Sequence, residues 1–349
     1  METSAPTEFF YRLTPDEILD AVTRLGLEPS GHISQLNSME NRVFDLRLDD
    51  GRHIVTKFYR PGRWSREQIL EEHAFLADLA SDEVPALSPL RIGNETLFEE
   101  QGIFFALWPR TGGREPEELS DIDLQILGRL LARLHNTGAG GSMPHRPQFT
   151  TQRFLAEPLG ELLSRGFLKE NFSAEYSALV DEIAAAFDDD ATHLPLIRIH
   201  GDLHKGNILC GSDGHRLSGP MAGSWFLLDF DDSLSGPALQ DVWMLFSPED
   251  RAARDTFLAA YREFRDFDEA WLHCAEILRA MRIVHYSGWI ARRYEDPAFT
   301  AAFPDFASDS YWEEEIRILR EITSALKPDN QKNNGNTLSN KDYFFDYDD

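Results

Sequence analysis

The stretch RIHGDLHKGNILC, residues 198–210, sets His200, Asp202, His204 and Asn207 between two apolar runs. A strand that only fills a core has no use for this much polar chemistry. An aspartate in such a loop can take the proton of an attacking hydroxyl, and an amide oxygen a few residues on can hold a hard divalent cation. A second acid, Asp229, ends the apolar run Leu227-Leu228 and is followed by Phe230 and Asp231. It can share that cation. Lys57 closes the β-type run HIVTK, and a lysine placed there to meet phosphate needs a carboxylate to hold it. Glu72 is the choice, because its helical neighbours Leu76 and Leu79 put it on the inward side; Glu71 is the rival. Each piece alone is common. Their order along the chain is what carries weight.

The elements that must position these groups are legible in outline. Residues 14–25 predict a helix, with Thr14 as N-cap, Pro15 at the first helical position and Glu17 completing a capping box. NRVFDLRL and HIVTKFY read as strands joined by a hairpin turn at Asp49-Asp50-Gly51-Arg52. A Ser65-capped helix follows over 65–80, then strands at 90–92 and 102–108. Past the break at RTGGR the character turns helical: 120–136, much of 151–188, and 238 to about 326, with a Gly- and Pro-containing loop at 138–148. The polar stretch RIHGDLHKGNILC lies between two short strands, SWFLLDFDD being the second. The intervening GSDGHRLSGPMAGS reads as a surface hairpin loop. The expected organisation is 1–109, 110–327 and a disordered acidic tail over 328–349, with a cleft at the linker near 109–114.

Composition narrows the function. A net charge of −26 argues against nucleic acid and against an anionic membrane surface as partner. Two cysteines, Cys210 and Cys274, supply neither a disulfide framework nor a zinc site and read as small buried hydrophobes. METSAPTEFF lacks the basic and apolar regions of a signal peptide. No apolar run approaches the roughly 18 residues of a membrane span. A cytoplasmic monomer is the expectation.

His200-Gly201-Asp202 with Asn207 has the H-x-D-x-x-x-x-N spacing of protein-kinase catalytic loops, with Gly where those carry Arg, and Asp229 stands at the first position of D-F-G with Asp231 replacing its Gly. On that pattern Asp202 is the base, Asn207 and Asp229 hold Mg²⁺, and Lys57 contacts the phosphates of ATP. HGDLHKGNIL, LLDFDD and GPALQDVWML resemble the aminoglycoside phosphotransferase and choline kinase group. LNSMENRVF, KFYRPGRW, QILEEHAFL, DEVPALSP, GGR and LRAMRIVHY resemble the bacterial stress response kinase A family, over about residues 10–325. The resemblance implies an α+β, bilobal protein-kinase-like fold. Its small antiparallel-sheet N-lobe (1–109) would bind nucleotide, and its mainly helical C-lobe (110–327) would carry catalysis and substrate. It also implies ATP- and Mg²⁺-dependent phosphorylation of protein Ser or Thr in a stress response, with Ser38 at the nucleotide. This sequence has no G-x-G-x-x-G; Ser38 and nearby backbone N–H groups are expected to cover the phosphates instead.

Several residues have two readings. Asp241 is either catalytic or a support that accepts hydrogen bonds from the backbone around Asp202, the latter being favoured. His200 reads as structural, His204 as a substrate neighbour or a solvated loop residue, and His135 as a helix C-terminal residue. Arg279, Arg282, Tyr286, Trp289 and Arg293 fall at steps of three and four on one helix face, either an acceptor-binding stripe or a solvated one. The tail aromatics Tyr343, Phe344, Phe345 and Tyr347 are either a docking motif or part of a floppy end. Against the protein-kinase reading stand a kinase for a small hydroxylated molecule (aminoglycoside, choline or homoserine-like) and a nucleotide-binding regulator without turnover.

Overall fold

The computed structural model describes residues 5–211, 225–246 and 250–327. The chain divides into two compact units, each discontinuous in sequence. One comprises Met1–Ser120, Asn136–Arg146 and Lys205–Ser233; the other comprises Asp121–His135, Pro147–His204 and Leu234–Asp349. The segment GSDGHRLSGPMAGS beyond Gly211 and the tail 328–349 lie outside the described residues.

The first unit opens with two short helices, α1 (Ala5–Arg12) and α2 (Pro15–Arg24). Thr14 and Glu17 cap α2 reciprocally. A five-stranded antiparallel sheet follows: β1 (Pro29–Leu36), β2 (Arg42–Leu48), β3 (His53–Phe58), β4 (Phe98–Glu100) and β5 (Ile103–Pro109), in the order β1-β2-β3-β5-β4. The β2–β3 turn forms at Asp49–Arg52, where Gly51 takes φ 85° and Asp50 accepts a 2.9 Å hydrogen bond from Arg52 N. β1 had no counterpart in the sequence reading. It is an edge strand with no fully buried residue, so it lacks the apolar alternation by which strands are found. The strand expected at 90–92 is absent. Leu90 N instead bonds Leu107 O at 2.6 Å, and Ile92 and Glu95 close a tight turn on each other. The partner of β5 on its outer side is β4, joined to it by a turn in which Gln101 and Gly102 both have positive φ.

Helix α3 (Arg66–Ser81) carries the Ser65–Gln68 capping box and buries Ile69, Glu72, His73, Phe75, Leu76 and Leu79. The same unit holds a later hairpin, Ile208–Cys210 with Trp225–Leu227. Ladder-type bonds join it to the segment after α3, with Leu227 N on Pro85 O at 2.9 Å. Arg114 and Cys210 exchange backbone bonds beside Gly113, where a Cβ would stand 3.0 Å from Leu209 Cβ. The glycines of RTGGR thus allow a close backbone approach as well as a break.

The second unit contains most of α4 (Asp121–Ala139), then α5 (Glu157–Ser164), α6 (Glu170–Asp190), α7 (Leu239–Trp243), α8 (Arg251–Tyr261), α9 (Ala275–Arg293), α10 (Pro297–Ala302) and α11 (Asp309–Leu326). One strand pair, Leu196–Ile199 with Leu234–Pro237, runs through it. Gly128 lies mid-helix, where its propensity cost of about 1 kcal/mol needs a reason. A Cβ there would come within 2.4 Å of Phe257 O on α8. Gly128→Ala is therefore expected to destabilise the fold by about 1–3 kcal/mol in urea titration, despite the gain in helix propensity. A stabilised variant would show that the two helices part freely.

Glu315 is a buried acid held by hydroxyls: Tyr176 Oη and Ser287 Oγ each donate at 2.6 Å. Burial raises its pKa to about 6, with the hydroxyl donors pulling the other way. Between the unfolded value, about 4.3, and that raised value the folded chain holds a proton that the unfolded chain releases. Stability from this site is thus present at low pH and lost as pH rises through 6. Relative to Glu315→Gln, the wild-type protein should gain about 2 kcal/mol between pH 7.5 and 4.5. A difference independent of pH would mean that burial does not control this carboxyl.

Candidate active site

Lys57 sits on β3 in the middle of the sheet, paired with Val43 on one side and Ala106 on the other. That register buries its stem and brings its ammonium among three acids. Nζ lies 2.9 Å from Asp229 Oδ1, 3.3 Å from Asp231 Oδ1 and 4.0 Å from Glu72 Oε1. The rings of Tyr59 and Trp108 wall the same ammonium. Burial works against its charge, but Asp229, Asp231 and Glu72 outweigh it and hold the pKa above the ordinary lysine value.

The two candidate glutamates of α3 divide the work. Glu72 faces Lys57 and accepts from Arg146 Nη2 at 2.7 Å. Burial pushes its pKa above the usual carboxylate range, while Lys57 and Arg146 pull it back. Glu71 points elsewhere. It accepts from the backbone N–H groups of His145 and Arg146 at 2.8–3.0 Å and so holds that segment against α3.

Asn207 and Asp229 are brought together by the Ile208–Cys210/Trp225–Leu227 hairpin. Ile208 pairs with Leu227, and the next bond outward runs from Leu228 N to Asn207 O at 2.9 Å. Asp229 follows in the left-handed region, φ 52° and ψ 67°, an uncommon conformation for a non-glycine residue. Its side chain is half exposed. A carboxylate and an amide oxygen at one hairpin end are hard donors that suit a divalent cation completing its shell from water and phosphate. Among the described residues no cluster of three or more His, Cys, Asp or Glu side chains forms an all-protein metal cage.

Asp231, noted in the sequence only as a departure from glycine, is the buried hub of this unit. It accepts from Asn41 Nδ2 at 3.0 Å and from Arg63 Nη1 through a short contact, while its carbonyl accepts from Arg146 Nη1 at 2.5 Å. Burial alone would raise its pKa; Arg63, Lys57 and Arg146 overcome that and hold it below the usual range. Asn41 in turn accepts from Arg60 N at 3.2 Å and donates its own N–H to Ser38 Oγ at 3.2 Å. The exposed Ser38 loop between β1 and β2 is therefore tied to the turn that follows Asp229. Asn41, Arg63 and Arg146 were missed in the sequence. The signal available was Asp231 itself, an acid in a buried turn, which calls for a cation elsewhere in the chain.

In the second unit, Asp202 follows the strand Leu196–Ile199. Asp241 accepts from His200 N at 2.9 Å and from Gly201 N at 2.8 Å, with Gly201 at φ 85°. His135 is fully buried behind it, with Nε2 3.2 Å from Asp241 and Nδ1 2.7 Å from Tyr261 Oη. Burial lowers the His135 pKa and favours the neutral ring, with Asp241 opposing. The neutral tautomer that satisfies both contacts donates from Nε2 to Asp241 and accepts from Tyr261 at Nδ1. His135 is thus a buried link and not a helix-end residue: α4 runs on to Ala139, so the last-turn position read from HNTG does not apply.

The Asp202 side chain meets Arg282 Nη2 at 2.5 Å and His204 Nε2 at 3.9 Å. Burial would raise its pKa, but Arg282, His204 and His200 bring it down to about 2, so the carboxylate is ionised throughout the neutral range. The stripe expected on α9 divides. Arg282 serves Asp202, Arg279 pairs with Glu276 of its own helix at 2.6 Å, and Tyr286 is buried.

The profile of the APH phosphotransferase enzyme family matches residues 32–275. Stress response kinase A of Escherichia coli strain K12 is 38% identical over 342 residues, covering 94% of this chain and 99% of the relative. The protein named serine/threonine protein kinase RdoA of Salmonella typhimurium strain LT2 is 37% identical over 321 residues, covering 91% and 94%. Among solved structures, amicoumacin kinase hAmiN in complex with AMP-PNP, Ca²⁺ and Ami superposes with a TM-score of 0.70 at 18% identity, covering 92% of this chain and 97% of that one. A microcompartment-associated aminopropanol kinase gives 0.68 at 20% identity, covering 90% and 98%. These two share the α+β kinase-like fold, with its small antiparallel sheet and many helices. The chain belongs to the phosphotransferase enzyme family and, within it, to the stress response kinase A group.

Proposed function

We propose that this chain transfers the γ-phosphoryl group of ATP to a serine or threonine hydroxyl of a protein, in a stress response. The observation that carries the reading is the Lys57 ammonium gathered by Asp229, Asp231 and Glu72, because a lysine so fixed is preorganised to meet phosphate oxygens. Residues 1–109 serve as the nucleotide-binding lobe and 110–327 as the catalytic and substrate lobe. Ser38 and neighbouring N–H groups cover the phosphates, and Glu72 steadies Lys57. Asn207 and Asp229 hold Mg²⁺, which when bound neutralises charge on the phosphate oxygens. Asp202 orients the acceptor hydroxyl and takes its proton as the oxygen–phosphorus bond forms and the bond to the ADP oxygen breaks. The name of one relative, serine/threonine protein kinase RdoA, supports a protein acceptor.

The test is transfer of labelled γ-phosphate from ATP with Mg²⁺ to a generic protein substrate and, separately, to amino alcohols and aminoglycosides. Label on Ser or Thr is the expected result. Label only on a small molecule moves the chain to the small-molecule kinases with the same residues in the same roles. Nucleotide binding without any transfer makes it a regulator. Asp229→Ala should weaken nucleotide binding in Mg²⁺ and bring it close to the value measured in excess chelator, which isothermal titration reads directly. If magnesium still strengthens binding to the variant as it does in the wild type, Asp229 is not a metal ligand.

A further inference from the structure

The charge around Asp202 is the reverse of the charge of the chain. The protein carries −26 overall, yet the candidate base is contacted by a guanidinium and an imidazole. Arg279, one turn before Arg282 on α9, is neutralised on its own helix by Glu276. Arg282 instead takes its acid from outside its own helix, pairing through Nη2 with Asp202.

One turn further along α9, the His285 ring packs at a tilt on Phe154 with centroids 4.6 Å apart, which brings the neighbouring Arg153 near the helix. Burial, then the charges of Arg153, Arg282 and Arg292, push the His285 pKa down to about 3. Arg153 and Arg292 reach Glu157 at 3.4 Å and Glu161 at 3.5 Å, contacts that stay partly exposed. Arg282, His285 and Arg292 fall at steps of three and seven along α9, and Arg153 adjoins the Phe154 that packs on His285.

We propose that Arg282, assisted by Arg153 and Arg292, selects an anionic acceptor: a Ser or Thr hydroxyl flanked by acidic side chains. This rests on the phosphotransferase reading above and names the acceptor class for that site. A carboxylate beside the acceptor hydroxyl is attracted by these guanidiniums, drawing the hydroxyl towards Asp202. A cationic amino alcohol or aminoglycoside meets repulsion instead.

The full-length chain would be assayed with labelled ATP and three peptides of equal length with one central serine, flanked by Asp and Glu, by neutral residues, or by Lys and Arg. Aminopropanol is the fourth acceptor. The expected result is a kcat/KM at least tenfold higher for the acidic than for the basic peptide, carried mainly by KM. Arg282→Gln should shrink that ratio severalfold, Arg282→Lys should restore part of it, and an Arg153→Gln/Arg292→Gln pair should shrink it independently. Equal use of all three peptides, or a ratio unmoved by every one of these substitutions, overturns the inference and leaves the kinase reading standing. Label on aminopropanol and on none of the peptides overturns both.

Discussion

Asp202→Asn is expected to lower kcat for phosphoryl transfer by about 10²–10⁴-fold while nucleotide affinity is largely kept. The residues assigned to nucleotide and metal (Ser38, Lys57, Asn207 and Asp229) lie in the other compact unit, so the binding machinery is not directly cut. The proposed base has its pKa held down to about 2, and such a group pulls only weakly on a proton. That suits a transfer whose transition state is loose, where the hydroxyl needs aiming more than early deprotonation. The pH dependence follows from the sign of the shift. In the proposed role Asp202 is ionised, so its contribution to kcat should stay flat from pH 8 down to 5, and be lost only as pH falls towards 2. Arg282→Gln removes the largest charge that lowers this pKa. Burial then pushes the group upward, beyond the ordinary value of about 3.9, and the acid limb of kcat moves into the measurable range. Steady-state kcat between pH 4 and 8 for both proteins checks this. An acid limb that does not move in the variant would remove Asp202 from the role of base.

Local signals made part of this arrangement readable. Lys57 ends a β-branched run and is followed by a capped helix, so its strand, its depth and the helix that answers it were all implied by periodicity. The spacing of Leu76 and Leu79 distinguished Glu72 from Glu71 because one helix face is buried and the other meets the 145–146 segment. Asp241 was readable for a different reason: a loop that must aim a carboxylate needs its backbone held, and Asp241 takes the N–H groups of His200 and Gly201. What stayed illegible is long-range. The cations that hold Asp231 and Glu72 come from Arg63 and Arg146, and no periodicity links residues so far apart. β1 escaped because an exposed edge needs no apolar alternation, and 90–92 misled because a short apolar triplet suits a turn as well as a strand. His135 looked like a helix end because HNTG carries stop-type residues, whereas the buried link to Asp241 overrides them.

Asp231→Asn is expected to be the most damaging substitution in the sheet-bearing unit, costing about 3–5 kcal/mol of stability and weakening nucleotide binding even where the chain still folds. The carboxylate has Lys57, Arg63 and Asn41 on it, and all are more than half buried. An asparagine keeps the size but offers one oxygen, and its amide donors face cations that also only donate. Lys57 retains Asp229 and Glu72, so the lysine is not stranded. The damage falls on Arg63 and on Asn41, whose backbone N–H reaches Ser38. Loosening Asn41 frees the loop proposed to cover the phosphates, which is why affinity should fall together with stability. Asp232→Asn is the matched control. Asp232 meets the same Arg63 at 2.7 Å, but its side chain is 41% exposed, and a pair open to water contributes roughly 0–1 kcal/mol. Urea midpoints and nucleotide titrations on both variants separate the two positions. Equal, small losses would mean that Asp231 is an ordinary ion-pair partner; a large loss at 231 alone, shared by stability and affinity, is what a buried hub joining the Ser38 loop to the Asp229 turn requires.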